Sequence, residues 1–175
     1  MGNTEHKLGK SDLAKEYFKK ALSIPGRHVV YVKDCLGVCY YFLKDYRKAC
    51  VYFGEATNQE IKNITYHLHY AYATEKRIEE VKEGLTTMKD KNEKTKLNEE
   101  LIILKEQVKE EYSQILRINS DHYETLLNFG VYEAREGHLE EAEKLFNQAL
   151  KIKEGDFTLF FNMGNIQLHR IQHYC

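Results

Sequence analysis

Two pairs of side chains have the spacing that metal chelation uses. Cys35 and Cys39 are four residues apart, as are His169 and His173, so on a helix each pair shares one face and aims two ligands the same way. A tetrahedral centre needs four ligands, and residues to complete either set are scarce. Small packing residues and a helix end explain the pairs more simply, so no metal is expected. The adjacent acids Glu79-Glu80 and Glu140-Glu141 sit in charge-alternating stretches, which is the pattern of solvated helix faces rather than of a proton-transfer dyad. There is no glycine-rich phosphate cradle, no Gly-x-Ser-x-Gly elbow and no His-Glu-x-x-His. No catalytic residue and no cofactor are expected, and the chain reads as a non-enzyme.

The elements that would carry such residues follow from composition. One proline and ten glycines occur in 175 residues, where average usage of the two gives about twenty-one. Loops must be scarce. Lys, Glu, Leu and Ala alternate through the chain, charged residues make up 30%, and β-branched residues do not cluster, so the elements are helices. The hydrophobic 42% supplies a core, and a mean hydropathy of −0.61 suits a polar surface.

Charge narrows the partners. Twenty-six basic against 27 acidic residues leave −1, a poor footprint for nucleic acid. No apolar run nears eighteen residues and residues 1–10 are polar, so neither membrane insertion nor a secretory signal is expected and the location is read as cytoplasmic. Asn63-Ile64-Thr65 is then an idle glycosylation match. Cys35, Cys39, Cys50 and Cys175 lack a zinc or disulfide spacing and are read as free thiols. His6 stands where a myristoylation motif wants Ser or Thr, and Cys175 is too late to begin a prenylation box.

A fixed period organises the chain. Gly130 and Gly164 are 34 residues apart, within Phe129-Gly130-Val131 and Met163-Gly164-Asn165, and Leu36-Gly37-Val38 repeats the site. Gly37 is followed by Ala49, Phe53 and Ala56, and Gly130 by Ala142, Phe146 and Ala149, at identical offsets. Ala14, Phe18 and Ala21 repeat the trio, and twelve residues before Ala14 stands Gly2.

This pattern resembles the tetratricopeptide repeat family, whose unit is a pair of antiparallel helices with small residues where they cross. Axes about 8–10 Å apart need Gly or Ala at the crossing, and an aromatic ring fills the space one turn away. The family's turn glycine is matched by Gly9 and Gly137, at an αL helix end. The resemblance implies an all-α fold, an α-solenoid of antiparallel helical hairpins. Departures are Lys33 at an apolar position, Lys44 at the turn position, and Glu133 at an apolar position beside Tyr132. Pro25-Gly26 absorbs one extra residue between the first two units.

The middle of the chain fits after an insertion. Ala71 and Val108 are 37 residues apart where the repeat has 12, so 25 are extra. Ile78, Val81, Leu85 and Met88, then Leu97, Leu101, Leu104 and Val108, step by threes and fours as a heptad seam. The spacing predicts one helix running to about Lys89 and its partner starting near Glu93, an extended coiled-coil hairpin. Its projection is roughly 18 Å at 1.5 Å per residue, with Lys89, Lys91, Lys94 and Lys96 at the tip as a second contact.

The expected divisions are a partial repeat 1–28 (the end of a first helix plus a second), repeats 30–63, 64–122 with its insert at about 77–103, and 123–156, and a partial repeat 157–175. Both ends fall within a repeat and carry no polar cap, so the chain reads as part of a longer array.

By the resemblance, the first helix of each unit lines a concave groove. Here that face maps to Tyr31, Val38, Tyr41, Leu68, Tyr72, Leu127, Val131, Phe161, Asn165 and Leu168. Chaperone-binding members grip a C-terminal carboxylate with Lys, Asn and Arg, but Asp34, Val38, Glu124 and Asn128 occupy those places, against an Hsp70 or Hsp90 carboxylate-clamp co-chaperone. An inner face of Tyr, Leu, Val and Phe is too apolar to be left in water. The expected function is a non-enzymatic protein–protein scaffold that binds an apolar or amphipathic partner segment, or other repeats of the same protein, within a larger protein or complex. The alternative is the targeting or regulatory domain of a larger enzyme such as a transferase or phosphatase.

Overall fold

The computed structural model describes residues 2–26 and 28–173, without the side chains of residues 2–8 and His173. Met1, the surroundings of Gly2, the second member of the His169/His173 pair and Cys175 therefore lie outside the described residues. Eight helices and no strand occur among those described: α1 (Gly2–Leu22), α2 (Val29–Phe42), α3 (Tyr46–Gln59), α4 (Ile64–Thr87), α5 (Lys91–Ile118), α6 (Tyr123–Arg135), α7 (Leu139–Ile152) and α8 (Phe157–His173). The fold is all-α, a run of antiparallel helical hairpins of the α-solenoid class. It divides into two compact units, 1–111 and 112–175, with the boundary inside α5.

The amphipathic pattern is plainest in α7. Ala142, Leu145, Phe146 and Ala149 recur at helical spacing and are all buried, while Glu140 and Glu141 in the first turn and Lys151 in the last complement the helix dipole. In the first unit α2 packs on α1, α3 and α4; in the second α6 and α7 pair and both touch α8.

Each hairpin is closed by the same device. A Cβ added at Gly37 would stand 2.6 Å from Phe53 Cδ1, and one at Gly130 would stand 2.7 Å from Phe146 Cδ1. Both rings lie on a glycine where no side chain fits, and both are fully buried. The turns repeat too. Asp45 N–H donates to Tyr40 O and Lys44 N–H to Tyr41 O, as His138 N–H does to Glu133 O and Gly137 N–H to Ala134 O. These are helix ends with a left-handed residue, Gly137 at φ 87° and Lys44 at φ 61°. Lys44 thus adopts the conformation usually left to glycine.

Gly9 departs from expectation. It lies within the uninterrupted α1 rather than in a turn between two helices. A glycine costs a helix only about 1 kcal/mol, and its neighbours Lys7, Leu8 and Lys10 favour the helix, so nothing local forces a break there.

The other two departures from the repeat pattern are met by polar partners. Lys33 Nζ lies 2.8 Å from Glu55 across α2 and α3, and the buried Glu133 accepts from His138 Nδ1 at 2.5 Å in the following turn. A carboxylate at an apolar position is tolerated because its charge is met.

α4 and α5 form the long hairpin. His67 meets Glu111, Arg77 meets Glu100, and a Cβ at Gly84 would touch Leu97 at 3.5 Å, so the register runs antiparallel to a turn at Met88–Asp90. The seam is closed at its root, where Ile78, Val81 and Val108 are buried, and loosens outward, where Leu85, Met88, Leu97, Leu101 and Leu104 are half-buried. Arg77 Nε and Nη2 both donate to Glu100 Oε1, at 3.0 and 2.7 Å, and Nη1 donates to Glu80 at 3.1 Å. The ion pair clips the two arms where the seam begins to open.

Candidate functional site

In the first unit three expected groove residues converge. Val38 and Tyr41 from α2 and Tyr72 from α4 line a cavity of about 160 Å³ with Phe42, Phe53 and His69. An engineered apolar cavity of about 150 Å³ holds a benzene ring, so there is room for one aliphatic or aromatic side chain. Its floor is the same Phe53 ring that fills the Gly37 crossing, and its walls stand on the cluster of Tyr40, Ala49, Phe53 and Ala73. Tyr41 is fixed edge-on to Tyr46, ring centroids 5.4 Å apart, and burial raises its hydroxyl pKa, so the phenol stays neutral.

His69 is the polar member of the cavity. Its ring lies 5.4 Å from Phe53, and Nδ1 donates to Asp34 Oδ1 at 2.8 Å, with Asp34 itself buried. The carboxylate sets the ring's orientation and its donor nitrogen. His69 and Phe42 were not expected from the sequence, because a histidine one residue beyond Leu68 carries no signal of its own. Leu68 requires correction. It is buried, not presented to a partner, because α4 is flanked by α2 and α3 and clipped to α5; its neighbour His69, half-buried, lines the cavity instead. Tyr31 stands apart from the cavity as an exposed ring.

In the second unit Val131 and Asn165 line a second cavity of about 200 Å³, with Ala134, Leu139, Asn162 and Ile166 among its walls. Leu127 is half-buried on α6, while Phe161 and Leu168 are exposed on α8, outside this cavity. Phe161 stacks on Phe157 at 5.9 Å. A wider cleft of about 700 Å³ lies among α5, α6 and α7 of this unit. Its lining includes Arg117, Asp121, Glu141 and Lys151, charges of both signs.

Lys89, between α4 and α5, and Lys91, Lys94 and Lys96 on α5 are all exposed at the hairpin tip. Of the thiols described, Cys35, Cys39 and Cys50 are free. Burial raises all three, Cys50 to about 11, so none is a ready nucleophile. Among the described residues no three His, Cys, Asp or Glu side chains converge as a metal site, and no helix is long and apolar enough to cross a membrane.

Comparison with known proteins agrees with this geometry. The profile of the tetratricopeptide repeat matches residues 1–28 and 123–156. No curated protein matches the chain. Solved structures do: a tetratricopeptide repeat protein from Parabacteroides merdae is 19% identical at a TM-score of 0.72, covering 98% of this chain and 59% of its own. The Arabidopsis OM64 TPR domain is 17% identical at 0.60, covering 80% and 95%. The first TPR of Spaghetti (RPAP3), bound to an HSP90 peptide, is 14% identical at 0.60, covering 83% and 99%. At these identities the likeness is one of fold. The 34-residue period, the ring-filled glycine crossings and the paired turns agree with the two segments, 1–28 and 123–156, that match the tetratricopeptide repeat.

Proposed function

We propose that the chain is a non-enzymatic scaffold that holds an apolar or amphipathic segment of a partner protein against α2 and α4, one apolar side chain seated in the cavity of Val38, Tyr41, Phe42, Phe53, His69 and Tyr72. That cavity carries the reading: it is lined by aromatic rings, sized for one side chain, and rests on a rigid core. In the second unit the cavity at Val131 and Asn165 offers a separate anchor of the same kind. The same face argues against a carboxylate clamp like that implied for chaperone binders, since Asp34 puts a buried carboxylate where a cation is needed. The lysines of the hairpin tip form a second contact suited to an acidic surface.

The reading is tested by selecting peptides from a random library on the whole chain and measuring the affinity of the winners. Tyr41→Glu, at the cavity, is expected to weaken binding at least tenfold while the circular dichroism spectrum stays helical. Leu127→Glu reports on the second unit, and reversing the four tip lysines should leave short apolar peptides unaffected. If the selected peptides bind Tyr41→Glu as tightly as the original chain, the groove is not the site.

A further inference from the structure

Among the described residues three glycines occupy the crossing position of this repeat, Gly37, Gly130 and Gly164, and two of these crossings are filled. Phe53 lies on Gly37 and Phe146 on Gly130, whereas nothing stands within 4 Å of a Cβ placed on Gly164. The stripe around Gly164 is equally bare. Phe157, Phe160 and Ile171 recur with Gly164 at helical spacing and are 80%, 52% and 60% exposed, although Leu126, the counterpart of Phe160 on α6, is fully buried. The opposite edge of α8 is packed: Leu159 and Ile166 are buried, and Arg170 meets Glu143 of α7 at 2.8 Å. α8 is a well-seated helix with one vacant side.

The two filled crossings show what closes such a side. Each takes an antiparallel helix carrying Ala, Phe and Ala at offsets of four and three: Ala49, Phe53 and Ala56 on α3, Ala142, Phe146 and Ala149 on α7, all buried. The chain has one more helix of this kind. Ala14, Phe18 and Ala21 of α1, which packs on α2, repeat the spacing but are only half-buried, and Tyr17 beside them is 63% exposed. α8 has the hole without the ring and α1 has the ring without the hole. Their lengths agree with pairing between separate chains. α2 and α6 stop thirteen residues into the repeat and hand over to a turn, but α8 continues to His173, and α1 begins well before the point where α3 and α7 start.

We propose that α8 of one copy and α1 of a second copy pack as the missing hairpin, the Phe18 ring on Gly164, so that the chain associates with itself head to tail. The contact is heterologous, each copy using a different surface at its two ends, so it propagates until one end is blocked. It is separate from the groove.

The test is the mass of the whole chain by sedimentation velocity over a concentration series. The unmodified chain is expected to rise from 20.7 kDa to at least twice that mass. Gly164→Leu fills the crossing, where nothing of its own copy stands within 4 Å of a Cβ, and Phe18→Ala removes the ring; each alone should hold the chain at 20.7 kDa at concentrations where the original grows. Mixed, one variant has only a working α1 and the other only a working α8, so they should form a 1:1 dimer that does not extend. Tyr41→Glu should leave assembly unchanged, which separates this proposal from the groove. A chain that stays at 20.7 kDa throughout overturns it, as it would if α8 takes a helix of another protein or of later residues of its own polypeptide. Association that ignores both variants overturns it as well.

Discussion

His67 and Glu111, 44 residues apart in sequence, are joined by a 2.5 Å hydrogen bond at the root of the inserted hairpin, both side chains almost fully buried. His67 Nδ1 donates to the Glu111 carboxylate and Nε2 to the Ile61 carbonyl at 2.9 Å. Two acceptors require two ring protons, so the geometry is that of an imidazolium. Gln107 adds a further donor to Glu111. The two arms of the long hairpin, α4 and α5, are thus tied at their root by a buried charge pair rather than by apolar packing alone.

Stability should therefore depend on pH near neutrality. Burial opposes the charged ring, but the bonds to Glu111 and Ile61 outweigh it and raise the His67 pKa above its ordinary 6.5. For a raised histidine the contribution is fully present below 6.5 and is lost as pH climbs through the folded value. Urea midpoints across this range should fall with rising pH, and Glu111→Ala should flatten that part of the profile. Removing one partner of a buried pair costs about 3 kcal/mol or more. A Glu111→Ala chain as stable as the original would show the pair to be idle.

The crossing glycines should respond oppositely to one methyl group. Gly130→Ala drives a Cβ into the buried Phe146 ring and should destabilise by about 1–3 kcal/mol, more than the gain in helix propensity. Gly164→Ala meets nothing in its own copy and should stabilise the chain by up to about 1 kcal/mol when dilute. Thermal melts of both variants at low concentration decide the comparison.

Lys44 holds a left-handed backbone at an exposed turn. A non-glycine residue there loses about 1 kcal/mol. Lys44→Gly should raise stability by about 0.5–1 kcal/mol, a little less than the strain because glycine also loosens the unfolded chain. Denaturant titration should show a higher midpoint with an unchanged slope.

Much of this arrangement was legible in residue types and spacing. Crossing glycines and their Ala-Phe-Ala partners are short-range steric requirements, so a 34-residue period betrays them, and the heptad steps of Ile78–Met88 and Leu97–Val108 betray the long hairpin in the same way. The continuity of α1 through Gly9 was not legible, since glycine permits a turn without demanding one. The burial of Leu68 was hidden too. Its spacing marks a helix face, but which residues of α4 are covered depends on how neighbouring helices crowd it.

Periodicity thus specified the helices and the crossings, because each rests on contacts between residues close in the repeat. Which groove residues share one cavity, that Asp34 orients His69, that Glu111 charges His67, and that α8 keeps a vacant side emerged only on folding. These depend on side-chain direction and on pairings up to 44 residues apart, where a pattern of residue types carries no geometry.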